Sequence, residues 1–308
     1  MTFWARRIGE LVLVLLGISL ASFFMLHLTG DPAIAILGPD FTEEALVALR
    51  AELGLDRPLF VQYLDFLGSA LQGDFGTSTR YRQPALDLFL ERVPATVELT
   101  IASLLVSIVG GVGIGVLAAV FRRTGLDTVA RAAALIGQAI PGFFLGILAI
   151  IIFGARLNWL PTGGRGTLLH LVLPAIALGT YYAAITARFV RGSMPEVLNS
   201  DYIRTAHAKG VRKTVVIMRH ALRNALVGVV TLIGLQLGNL LGGAVVIETV
   251  FSWPGVGRLA VQAIYARDFP LVQVIIMIAA VIFVVVNLIT DLTYRLLDPR
   301  IRVGGGAA

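Results

Sequence analysis

The sequence contains no cysteine, which excludes disulfides and thiolate chemistry and leaves its redox compartment unread. Lysine is nearly as scarce. It occurs at Lys209 and Lys213, and neither lies in a GxxxxGK[ST] pattern, so the chain has no phosphate loop with which to hold ATP. Its histidines, His27, His170, His207 and His220, are too dispersed for a metal site, and no HExxH occurs. The Gly192-Ser193 pair reads as part of a helix cap rather than a nucleophile. No catalytic residue, metal ligand or cofactor site is therefore expected. Charge is also thin: 14% of residues are charged, where a soluble domain carries about a quarter.

Those few charges leave six long windows free of Asp, Glu, Lys and Arg: 11–30, 99–121, 132–155, 166–187, 224–247 and 269–290. At about 1.5 Å per residue each helix spans roughly 30–36 Å, the thickness of a hydrocarbon core with modest tilt. Backbone crossing lipid must satisfy its own hydrogen bonds, so runs of this length are helices. The expected fold is an all-α membrane protein with six transmembrane helices. Arg6 and Arg7 precede the first window, which is long for a signal segment and reads as an uncleaved first helix.

Six spans place both termini on one side. That side, residues 1–10, 122–131, 188–223 and 291–308, carries 16 Lys/Arg against 6 Asp/Glu, whereas the other carries 9 against 13. The positive-inside rule puts both termini in the cytoplasm. The net charge of +6 is then a topology signal, and nucleic acid is not an expected partner. The layout divides into residues 1–30 (N-terminus and first span), an extracytoplasmic helical segment 31–96, a five-helix core 97–294 with a cytoplasmic loop 188–223, and a cytoplasmic tail 295–308.

Outside the membrane, Thr42 is placed to cap a helix that Gly54 ends, and Pro58 opens another that Gly73 stops. A short third helix is expected from Pro84 towards Arg92, before Pro94. All three carry apolar faces suited to the outer membrane surface. In the basic loop, Ser193 and Glu196 have capping-box spacing. Asn199-Ser200-Asp201 then breaks the chain, and a short helix over Tyr202 to Lys209 is expected, with Asp201 as its cap and Gly210 as its stop. A further helical stretch from Lys213 leads into the fifth span. The turn Phe251-Ser252-Trp253-Pro254-Gly255 joins the last two spans on the outside, with Trp253 suited to the membrane interface.

Ion-coupled carriers keep ionisable residues within their spans. Here Glu98, Glu248 and Asp291 sit at window margins, where interfacial solvation accounts for them. Gln138, Gln236, Asn239 and Asn287 lie deeper, as helix-bridging groups or, for the first three, as a translocation pathway. Small residues at i, i+4 (Gly111 with Gly115, Gly142 with Gly146, Gly234 with Gly238 and Gly242) allow close helix approach, within the chain or against a second subunit. The chain thus spans the membrane, lacks fuel of its own and presents a basic loop to the cytoplasm.

That loop, Tyr202-Ile203-Arg204-Thr205-Ala206-His207-Ala208-Lys209-Gly210, resembles the "EAA" loop of binding-protein-dependent ABC importer permeases. The pattern is Glu-Ala-Ala, three residues, Gly, nine residues, Ile-x-Leu-Pro. Ala206, Gly210 and Leu222 match it, while Arg204, His220 and Arg223 replace its Glu, Ile and Pro. Gly30-Asp31-Pro32, GLDRPLFVQYLDFL from Gly54, Gly73-Asp74-Phe75-Gly76, RVPATVEL from Arg92, Ile140-Pro141-Gly142-Phe143, VFSWPGVGRL from Val250 and Asp298-Pro299-Arg300 are similar, in order, to the B-type subunit of the dipeptide/oligopeptide branch. The resemblance implies a type I permease-like bundle in a bacterial inner membrane. It implies four kinds of partner besides lipid: a homologous second permease, two cytoplasmic ABC ATPase subunits or domains that carry ATP and Mg, and an extracytoplasmic substrate-binding protein. It implies that the loop helix (Tyr202, Arg204, Thr205, Ala206, Ala208, Lys209, Gly210) docks on an ATPase, small at Ala206 and Ala208. Peptides are the expected substrate. The branch also handles glutathione, nickel chelates and sugars. A stand-alone channel or secondary carrier is the competing class.

Overall fold

The computed structural model describes residues 2–29, 32–37, 41–52 and 54–297. Gly30-Asp31, the terminal Asp298-Pro299-Arg300 and the glycine-rich tail lie outside the described residues. All regular elements among the described residues are helical, with one isolated bridge between Thr77 and Pro84. In order they are α1 (Thr2–Thr29), α2 (Pro32–Leu37), α3 (Glu43–Glu52), α4 (Leu59–Leu71), α5 (Ala85–Val120), α6 (Gly125–Ala139), α7 (Gly142–Ala149, continuing as a π-helix Ile150–Arg156), α8 (Leu168–Leu198), α9 (Asp201–Ala208), α10 (Lys213–Val215, with a π turn Val216–Ala221), α11 (Leu222–Val250), α12 (Val256–Tyr265) and α13 (Phe269–Leu297).

The punctuation residues act as expected. The Thr42 hydroxyl accepts the Ala45 N–H at 3.3 Å. Gly54 and Gly73 end α3 and α4 in the left-handed region. Two expected boundaries are overturned by prolines that do not stop their helices. The short helix from Pro84 and the second span form one 36-residue helix, α5, which runs through Pro94. The capping-box start at Ser193 does not form: α8 runs through Pro195, and the Ser193 hydroxyl donates to the Val190 carbonyl instead. Proline is tolerated where helix packing holds the chain in place. The 132–155 window contains a break rather than one straight span, because α6 and α7 meet at 101° around Ile140-Pro141. Residues preceding proline avoid the helical region, and Ile140 is extended, with φ −84° and ψ 123°.

Four helices, α5, α8, α11 and α13, are each long and apolar enough to cross a membrane, and the bent α6–α7 pair makes a fifth candidate. The described residues form two compact units, those up to 94 with 255–285, and 95–254 with 286–297. In the first, Ala85, Leu88, Phe89, Leu259, Ala263, Leu271, Val274 and Ile275 form the core, and α4 lies on α1, where Tyr63 meets Phe23 and the Ser19 hydroxyl at 2.7 Å. The second unit has two cores. Leu99, Leu173, Leu178, Leu240, Ile247, Phe251 and Trp253 belong to one; Val190, Met194, Ile203, Val216, Leu222 and Val229 belong to the other.

Candidate functional site

The short helix α9 is built from its ends inward. Its N-cap is Ser200 rather than Asp201, with extended backbone and the Ser200 hydroxyl donating to the Val197 carbonyl at 2.6 Å. At the other end Gly210 takes φ +74°. Its N–H donates to the His207 carbonyl at 2.9 Å, and the Val211 N–H reaches back to the Ala206 carbonyl at 3.2 Å. This is the Schellman termination, which requires a left-handed residue and so favours glycine. Between the caps, Ile203 is 1% exposed, seated among Val190, Met194, Val216 and Leu222. Burying one such side chain is worth about 1.5–3 kcal/mol, enough to dock a helix of two turns.

The outward surface carries Asp201, Tyr202, Arg204, Thr205, His207, Ala208 and Lys209, all exposed. Ala206, expected on that surface, is half-buried against the same core as Ile203, three residues before it on the helix. Two side chains at i, i+3 share a helix face, so one inward face fixes both. The Asn224 amide donates to the Tyr202 hydroxyl at 2.6 Å, tying α9 to the start of α11. Arg204 approaches Asp201 within its own helix at 3.4 Å.

The three residues considered for a translocation pathway are not brought together as equivalents. Gln236 is buried and bridges three helices: its carbonyl accepts from Ser107 at 2.8 Å, and its amide donates to Thr186 at 3.0 Å and to the Tyr182 carbonyl at 3.4 Å. It is a helix-bridging group. Asn239 is exposed and donates within α11 to the Leu235 carbonyl at 3.2 Å. The Gln138 amide nitrogen is buried without a hydrogen-bond partner, one residue before the end of α6. The Asn287 side chain lies outside the described residues.

The turn after α11 is also corrected. Phe251 and Trp253 are each 1% exposed, and the Trp253 indole donates to the Ala95 carbonyl at 2.8 Å. Gly163 lets the chain approach so closely that an added Cβ would lie 2.5 Å from the Phe251 carbonyl oxygen. Pro254 is half-buried and Gly255 buried. The Phe251 and Trp253 side chains form core rather than an interfacial anchor or a projecting loop. Glu248, expected to be solvated at the span margin, is instead fully buried and accepts from the Thr96 hydroxyl at 2.6 Å. Glu98 does sit at the surface, paired with Arg165 at 2.8 Å.

Residues 111–303 match the family described as "Binding-protein-dependent transport system inner membrane component", and residues 1–100 match its N-terminal component. The chain belongs to this permease family. The glutathione transport system permease proteins GsiC of Escherichia coli strain K12 and of Salmonella typhi are each 42% identical to it over 298 residues, covering 96% of this chain and 97% of theirs. Among solved structures, an inward-facing MetNI methionine ABC transporter superposes with TM-score 0.58 at 21% identity, over 68% of this chain and 96% of that one. An amino acid ABC transporter determined with histidines gives 0.53 at 16%, over 68% and 94%. The protein is thus a multi-pass ABC importer permease subunit of the dipeptide/oligopeptide type.

One feature of the permease escapes motif reading. Asp127, in the first turn of α6, is 2% exposed. It accepts from Arg191 Nε at 2.7 Å and Nη2 at 3.1 Å and from the Arg123 N–H at 3.1 Å, with Arg131 at 3.5 Å. The Arg191 hydrogen bond, with the surrounding positive charge, outweighs desolvation and holds this carboxyl down at about 2. The fork is bidentate, the strongest form of the pair. It fastens α6 to α8 ten residues before α9 begins. The available signal was a lone acid among Arg122, Arg123 and Arg131, but its distant partner was not readable.

Proposed function

We propose that this permease subunit forms half of a translocation pathway for peptides, working by alternating access and driven by separate ATPase subunits that dock on α9. Six spans with both termini in the cytoplasm, α1 and the bent α6–α7 pair included, give this reading its topology. A homologous second permease completes the pathway, ATP and Mg belong to the ATPase partners, and an extracytoplasmic binding protein delivers substrate. The supporting observation is α9 itself: ended sharply at Gly210, pinned inward by Ile203 and tied to α11 through Tyr202, with its outward side exposed. A push on that side is passed to α8 and α11 rather than absorbed locally.

The test is Ala208→Asp beside Ile203→Ala in the assembled transporter. Ala208 is exposed, so its variant should insert and melt as the parent does while uptake and substrate-stimulated ATP hydrolysis fall together. Ile203→Ala should melt lower, by the equivalent of about 2–5 kcal/mol. Normal uptake with Ala208→Asp removes the coupling role of α9.

A narrower substrate, glutathione, is favoured by the names of the GsiC relatives. Glutathione is itself a tripeptide, so the two readings nest. Uptake of labelled glutathione competed by simple di- and tripeptides separates a general peptide pathway from a dedicated one.

A further inference from the structure

In the first unit a buried carboxylate assembles an exposed platform. Asp268 lies between α12 and α13 and is fully buried. It accepts from the Ser78 hydroxyl, from the N–H groups of Thr79 and Arg80 at 3.3 Å each, and from the Leu271 N–H at 3.4 Å. The Ser78 hydroxyl oxygen accepts from the Tyr81 N–H at 3.0 Å, and the Tyr81 hydroxyl donates to the Gln262 side-chain Oε1 at 3.2 Å. The 77–84 loop also closes on itself: Ser78 N–H to Gln83 at 2.9 Å, Arg82 N–H to Ser78 at 3.0 Å. Residues 77–84 and 262–268 therefore form one stiff surface.

What this surface displays is unusual for its side of the membrane. Arg80, Arg82 and Arg267 are exposed, beside Ile264 at 61% and Tyr265 at 86% exposure. The exposed acids Asp74 and Asp87 flank the platform, yet no ion pair is formed by these three arginines among the described residues. Arg82 and Arg267 each take φ +53°, a region costly for any side chain and free to glycine. Basic residues are also disfavoured on the side assigned to the exterior, where acids outnumber bases 13 to 9. The Arg80 guanidinium lies over the Tyr81 ring at 5.5 Å, a contact within the platform, and insertion asks for none of the three.

We propose that this platform receives an acidic surface of the extracytoplasmic binding protein, an inference that rests on the transporter reading above. Exposed Arg and Tyr on stiff backbone lose little freedom when bound and are the side chains that dominate protein interfaces. Guanidinium groups pair with carboxylates in bidentate fashion, and charges at an interface rim set the association rate and its salt dependence.

The test uses the complete transporter in nanodiscs, titrated with the binding protein that supports its uptake. Arg80→Glu, Arg82→Glu and Arg267→Glu combined should raise the half-saturating binding-protein concentration about tenfold or more at low salt, and the corresponding Gln variants should raise it less. Added salt should weaken the parent towards the variant and leave the variant nearly unchanged. The yield of assembled complex is measured alongside, and the comparison is made per complex. Equal half-saturation for parent and variants overturns the proposal. So does a loss that follows the anionic lipid content of the nanodisc instead of binding-protein concentration, since the arginines would then serve phosphate headgroups. If the parent takes up substrate without any binding protein, it is the transporter reading that falls.

Discussion

At Asp127 the side chain is ionised and gripped by Arg191, so its contribution to the fold has a defined pH window. A carboxylate whose value falls from 3.8 to about 2 on folding binds fewer protons in the native state than in the unfolded one. Its stabilisation is complete above about 3.8 and disappears as pH falls towards 2. Asp127→Asn removes it at every pH. The melting temperatures of parent and variant in detergent should thus differ by a constant amount above pH 5, converge below pH 4 and meet near pH 2. A gap that persists at pH 2 would assign the effect to packing rather than charge. Residues of this kind mark the limit of reading from sequence. Gly210 was legible as a stop because its left-handed requirement is local, and Thr42 as a cap for the same reason. The partners of Asp127, Gln236 and Trp253 lie 64, 129 and 158 residues away, and no spacing rule reaches them.

At the scale of elements, hydropathy located four apolar spans and the bent fifth candidate, but not their joints. Pro94 and Pro195 read as boundaries, yet α5 and α8 pass through both, whereas Pro141 does break its span. Intrinsic propensity treats the three alike; what differs is the tertiary packing that holds each helix in line or lets it turn. The small-residue pattern left two uses open, and the packing separates them. An added Cβ at Gly111 would lie 2.5 Å from Thr186 Cβ and 2.7 Å from the Ala183 carbonyl oxygen, and one at Gly115 would lie 2.7 Å from Val190 Cβ. Both glycines therefore seat α5 against α8 within this chain. Gly113, on the same helix, has nothing within 4 Å. Gly111→Leu should lower stability by about 1–3 kcal/mol or prevent assembly, as overpacking does, and Gly113→Leu should not. Equal melting of the two variants would show that α5 and α8 do not meet at this distance.

For the whole molecule, the proposed second permease needs a seat, and it should lie on a surface whose composition lipid alone does not demand. Along α11, Leu235, Asn239, Gly242, Val246 and Thr249 are exposed at spacings of four, three, four and three, the repeat that keeps one seam facing a partner helix. An amide, a glycine and a hydroxyl within one apolar span are the residues that bring membrane helices together. Nothing lies within 4 Å of an added Cβ at Gly242, unlike Gly111 and Gly115. The absence of cysteine now becomes useful, because any thiol introduced here is the only one in the chain. Asn239→Cys and Gly242→Cys should each crosslink to a matching thiol on the second permease with a short bifunctional reagent. Leu13→Cys, exposed on α1, should not. If the seam also borders the pathway, thiol labelling at residue 239 should change between nucleotide-free and ATP-trapped complexes, since alternating access moves one half against the other. Crosslinking from Leu13 but not from Asn239 or Gly242 would place the second subunit on α1 and leave α11 facing lipid.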